Sequence, residues 1–313
     1  MLDAIRNFFM HLAEIGVLPD YFKYAFVINS LLSALFIGPI LGGLGTMVVT
    51  KRMAFFSESI GHAALTGIAL GVLLGEPYDS PYIMLFTYCI IFALLINFTR
   101  NRTKMSSDTL IGIFLSISIA LGGTLIIFVS SKVNSHMLES VLFGSILTVS
   151  DRDIIVLFFS TILLILIVIP NFNKMLLSSF NTNLAIVKGV RVKFLEYMFI
   201  LLITLVTVSS IKIIGASLVE ALFLIPAASA KNLSKSIRTF FVYSILFSLI
   251  SCILGILLPL YLDITIPSGG SIILVAAIIF FITVLIKNLK RSLKWKNYFC
   301  YLALFVALAL QKT

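Results

Sequence analysis

Glu58 and His62 stand four residues apart in an otherwise apolar stretch, KRMAFFSESIGHAALTGIAL, residues 51–70. On a helix that spacing puts both on one face, separated by about 6 Å of rise. A carboxylate and an imidazole are ligands that borderline divalent metals accept. In an apolar span both are costly in lipid, so they should face protein or a water-filled path. Gly61, Ala63, Ala64, Gly67 and Ala69 surround them, and small residues let neighbouring helices come close. Two readings stay open: a metal-ligating pair, or a plain polar contact inside a helix bundle. One Glu and one His are an incomplete set, because zinc takes four ligands, or three with an open position. A symmetric dimer meeting across a two-fold axis would supply two of each.

Other chemistry is sparse. Glu220 is the one further acidic or basic side chain expected deep inside a span. It is read as lining the same path, as a second ligand, or as a carboxyl kept neutral by its surroundings. His11 and His136 fall in a lead-in and a link, where histidines are usually surface residues. No GxxxxGK[ST] occurs, so nucleotide is not hydrolysed here through a P-loop. HExxH, GxSxG and paired intramembrane aspartates are also absent from the sequence. The chain therefore reads as a non-enzyme. Active transport would draw on an ion gradient or on another subunit. A membrane metalloenzyme would need a third strong ligand and an activating base, and no convincing set is present.

The elements that must hold these residues are membrane helices. The chain has 313 residues, 60% of them hydrophobic and only 12% charged. Soluble domains carry about 45–50% apolar and about 25% charged residues. An all-α polytopic bundle is expected, with about nine spans, some short or broken. They fall at 24–49, 54–74, 82–98, 109–129, 154–169, 194–209, 213–230, 240–262 and 270–286. Residues 1–22 read as an amphipathic lead-in, 23–286 as the transmembrane domain and 287–313 as a basic stretch with a short apolar tail. Pro170 is expected to end the fifth span and Pro226 to interrupt the seventh. The apolar segments 137–149 and 298–310 are under the roughly 20 residues needed to cross. They are read as re-entrant, interfacial or packed on the bundle. Cys89, Cys252 and Cys300 are scattered, with no CxxC, so no disulfide framework is suggested.

Charge sets the orientation. The net charge of +10 would suggest nucleic acid in a soluble protein, but here it reflects loop orientation. Alternate links carry most of the Lys and Arg: 51–52, 100–104, 174–193, 231–238 and 287–296. The opposite links carry Glu76, Asp79, Glu139, Asp151, Asp153 and Asp263. The positive-inside rule puts the first set in the cytoplasm, the N-terminus outside and the C-terminus inside. The link 171–193 offers a docking surface, with a short helix expected in NTNLAIVKGV, 181–190, stopped by Gly189; a plain surface helix is the alternative.

At this point the motifs resemble the permease subunits of bacterial ABC importers for zinc, manganese and iron, the ABC-3 metal permease family. The resemblance runs from 24 to 286. It is carried by MAFFSESIGHAALTGIALG (53–71), SSDTLIGIFLSISIALGG (106–123), SVLFGSILTVSDRDI (140–154), KIIGASLVEALFLIPAASAK (212–231) and PSGGSIILV (267–275). It implies a homodimer of permeases in the bacterial inner membrane, a separate cytoplasmic ABC ATPase that uses the ATP, and a periplasmic or lipid-anchored metal-binding protein. No cofactor is held permanently; the divalent metal is cargo. By match to the family's Asp–His pair, Glu58 and His62 would line the metal site, with Glu58 where Asp is usual. Glu220 departs from the small residue common there. Ala185, Val187 and Gly189 would correspond to the helix that docks on the ATPase. The alternative is a gradient-driven secondary cation transporter.

Overall fold

The structure is a computed structural model that describes residues 2–77, 81–103, 105–129, 149, 151–262, 264 and 268–310. Side chains 126, 129, 212 and 290–310 are outside that description. The described residues are helical throughout, apart from turns. The order is α1 (Leu2–Glu14), a 3-10 turn (Asp20–Lys23), α2 (Ala25–Thr50), α3 (Phe56–Leu73), α4 (Tyr82–Arg102), α5 (Ser107–Val129) and α6 (Asp151–Phe180). Then come α7 (Thr182–Val187), α8 (Val192–Ile214), α9 (Ala216–Leu233), α10 (Ile237–Tyr261) and α11 (Ser268–Leu310). Nine helices among the described residues, α2 to α6 and α8 to α11, are long and apolar enough to cross a membrane. Helices satisfy their own backbone donors and acceptors, which is why lipid admits them.

Close packing follows from the small residues. A Cβ on Gly45 of α2 would collide with the Phe223 carbonyl of α9, and one on Gly255 of α10 would lie 2.5 Å from Cα of Ile272 of α11. The Ser244 hydroxyl of α10 donates to the Gly42 carbonyl of α2 at 2.6 Å. α2 thus packs on α9 and α10, while α8 lies among α3, α4, α6 and α9. α3 and α8 are the most enclosed spans.

Among the described residues, Asp151 and Asp153 lie beside the first turns of α2 and α4, whereas Lys51 and Arg100 lie at the far ends of those helices, here called the acidic and basic ends. At the acidic end Arg6 of α1 donates to Asn29 Oδ1 of α2 at 2.8 Å and pairs with Asp151 of α6. Tyr82 of α4 donates to Asp153 Oδ1 of α6 at 2.7 Å.

Two expected breaks are absent. α6 runs through Pro170 to Phe180 instead of ending. A helix proline forfeits one ladder hydrogen bond and crowds the preceding turn. Here the next side chain, Asn171, donates back to the Ile167 carbonyl at 3.0 Å. Likewise α9 continues through Pro226. The break lies earlier, at Gly215, whose φ of +81° separates α8 from α9. The link 171–193 is correspondingly shorter, since its first ten residues belong to α6. Nor is 298–310 a separate element: α11 is one 43-residue helix to Leu310. The segment 137–149 lies outside the described residues except for Val149.

Candidate functional site in the membrane core

Glu58 sits in the first turn of α3, with His62 one turn on. Between them Gly61 meets α9. A Cβ on Gly61 would lie 2.8 Å from Cβ of Ala216, the first residue of α9. Glu220 is one turn beyond Ala216 on α9. That approach brings Glu58 and Glu220 within Coulombic reach of each other, and Glu58 within reach of His62. Sequence reading anticipated the pair on α3 from spacing. It also read Glu220 as lining the same path or as a second ligand; spacing alone does not show that α9 brings it near α3, 162 residues along the chain (220 − 58).

All three side chains are half-buried. The rest of α3 between Ser59 and Gly67 is buried, His62 excepted. The three side chains therefore stay partly accessible where α3 meets α9. Within one copy, no three His, Cys, Asp or Glu side chains among the described residues are arranged to share a metal ion. Two carboxylates and an imidazole can still draw a divalent cation into an apolar bundle, because opposed charges interact strongly where water is scarce. An ion held by so few groups is also free to leave.

The second candidate region is α7, at the basic end. Asn181 caps it, its side-chain oxygen accepting from the Leu184 N–H at 3.0 Å. Gly189, with φ of +73°, closes it: the Gly189 N–H donates to the Ile186 carbonyl and Val190 N–H to Ala185. This double bond pattern with a left-handed residue is the Schellman helix stop. Ala185 is fully buried and anchors the helix. Val187 is 84% exposed, and Leu184 and Ile186 are exposed beside it. The three predicted residues thus divide into an anchor (Ala185), a presented surface (Val187) and a stop (Gly189).

One feature of the basic end escaped sequence reading. Arg100 at the end of α4 pairs with Glu196 in the first turns of α8 at 3.0 Å. Arg100 reads in sequence as one charge of the basic link 100–104, and no sequence signal marks Glu196 as its partner.

Residues 23–287 match the ABC 3 transport family. The chain is 32% identical over 273 residues to a manganese import system permease protein of Streptococcus gordonii, covering 87% of this chain and 95% of that one. It is 32% identical over 266 residues to a high-affinity zinc uptake system membrane protein of Buchnera aphidicola, covering 84% and 97%. The solved structure described as PsaBC from Streptococcus pneumoniae in complex with Fab superposes with a TM-score of 0.74 at 31% identity, covering 88% of this chain and 96% of that one. Nine spans, a family match over residues 23–287 and relatives at 32% identity across most of both chains agree: the chain belongs to the ABC 3 transport family.

Proposed function

We propose that this protein is the permease subunit of an ATP-binding cassette importer that moves a divalent metal ion, Zn²⁺, Mn²⁺ or Fe²⁺, across the bacterial cytoplasmic membrane. The observation that carries the reading is the family match across residues 23–287, supported by Glu58 and His62 one turn apart on α3 beside the approach to α9 that carries Glu220. Kinship with manganese and zinc permeases supports the class of cargo. Half-exposed carboxylates cannot face lipid at low cost, so a second copy of the chain covers them across a two-fold axis. The two copies together supply enough oxygen and nitrogen donors for a transient site. The metal remains cargo.

Energy comes from a separate ATPase, since the chain carries no P-loop. α7 docks on that ATPase through Leu184, Ile186 and Val187. A solute-binding protein delivers the ion at the acidic end, which lies outside; the basic end faces the cytoplasm. Glu58 and His62 receive the ion, and Glu220 lines the path beside them.

The test is uptake into proteoliposomes holding this chain, its ATPase and its binding protein, with zinc, manganese and ferrous iron compared. Glu58→Gln and His62→Ala are each expected to lower ATP-dependent uptake about tenfold or more, the effect of losing about 1.4 kcal/mol. The ATPase should still assemble. Full uptake in both variants would remove the Glu–His pair from the path. Uptake that persists without the ATPase would favour a gradient-driven transporter.

A further inference from the structure

The three contacts at the basic end form one cluster. Arg100 Nη2 lies 3.0 Å from Glu196 Oε2, with the two side chains only 14% and 19% exposed. Arg100 Nη1 lies 3.7 Å from the sulfur of Met53, which is itself 1% exposed. Lys51 Nζ stands 5.4 Å from the ring centroid of Phe199, one turn beyond Glu196 on α8. Lys51 is also an electrostatic neighbour of both Glu196 and Arg100. Lys51 and Met53 belong to the turn that joins α2 to α3. That turn therefore makes two separate contacts: to α4 through Arg100 and to α8 through Phe199.

The turn is itself tightly made. Met53 N–H donates to the Val48 carbonyl at 3.1 Å and Arg52 N–H to Val49 at 3.4 Å, closing α2 as a Schellman stop. Arg52 occupies the left-handed position at φ +55°, where glycine is usual. A non-glycine residue held there persists only when its surroundings fix it. Three residues after Met53, α3 begins, and Glu58 lies in its first turn. On the other side, α8 starts five residues after α7 ends.

We infer that Glu196 and Arg100 are positioning residues for transport: their ion pair, with Lys51 against Phe199, ties the first turns of α8 to the α2–α3 turn. A displacement of α7 by the ATPase then reaches the helix that aims Glu58 and His62. The inference rests on the permease reading and names the path by which its two regions communicate. Stability alone does not account for such a pair. A part-buried ion pair gains little over an apolar replacement of similar volume, though removing one partner strands the other charge. What it supplies is a directional, fixed-length connection between elements.

The experiment measures metal ions moved per ATP hydrolysed by the assembled complex in proteoliposomes. The variants are Glu196→Gln and the double replacement Arg100→Met with Glu196→Met, and rates are normalised to the complex actually assembled. Both are expected to lower the ratio about five- to tenfold, the low end of coupling between distant sites. ATP hydrolysis and equilibrium metal binding by the permease should persist. Arg100→Lys with Glu196→Asp, which keeps both charges, should recover part of the ratio. A parent ratio in the double replacement overturns the inference. So does a loss confined to the assembled amount, with the parent ratio in what remains. A parent complex that moves no metal with ATP would instead strike at the permease reading itself.

Discussion

At the residue scale, the site depends as much on what is missing as on what is present. Gly61 has no side chain, and that absence lets α3 and α9 meet at Ala216. Gly61→Val is therefore expected to push the helices apart and separate Glu220 from Glu58. Overpacking of this kind costs about 1–3 kcal/mol. Uptake should fall while Glu58 and His62 are untouched, and the companion Ala216→Gly in the same chain should restore part of it. The pair on α3 was legible in sequence, because helical spacing alone puts residues four apart on one face. Glu220 was legible as a carboxyl in a span that could line the same path; its nearness to Glu58 is set by helix packing, which spacing does not encode. Arg100 and Glu196 were invisible for the same reason. At the ends of spans, charges are ordinary, and nothing local marks two of them as partners.

At the scale of elements, α7 is a short helix capped at both ends. Its stop at Gly189 requires a left-handed backbone, which costs a residue with a Cβ about 1–2 kcal/mol. Gly189→Val is expected to loosen α7 and weaken binding of the ATPase, measured by co-purification of the two subunits. Val187→Asp should weaken the same complex without disturbing the fold, since Val187 is almost wholly exposed. The nine spans were legible because runs of roughly 20 apolar residues in this composition have few alternatives. The proline breaks were misread. Pro170 and Pro226 look like interruptions in a string of letters, yet one missing hydrogen bond does not end a helix whose neighbours pack it from the sides. Gly215, a milder signal in sequence, is where the chain does turn.

Across the whole molecule, charge and geometry divide the bundle into two different ends. The acidic end is braced by Arg6 to Asn29 and Asp151, so that α1, outside the family match at 23–287, is fastened to α2 and α6. Arg6→Ala should free α1 from that brace, seen as faster proteolysis within residues 2–14, with little change in the thermal unfolding of the bundle. The basic end holds α7 and the Arg100–Glu196 cluster, where energy would enter. The separation of charge along the chain was the most legible property of all, because it alternates with each crossing. Which side of the membrane each end occupies is tested by fusing a reporter after Thr313, expected to be active only in the cytoplasm.

The partly exposed group of Glu58, His62 and Glu220 bears on the life of the subunit. On the proposed pairing, a newly inserted copy would present two carboxylates and an imidazole to acyl chains until another copy arrives. The solitary subunit would then carry a polar defect that a membrane quality-control protease could read. Pulse-chase of the chain expressed at falling synthesis rates should show its half-life shortening as encounters become rarer. Glu58→Leu with Glu220→Leu, which erases the polar face, should lengthen the survival of single copies. The groups that would move the ion would then also act as a degradation signal that pairing conceals.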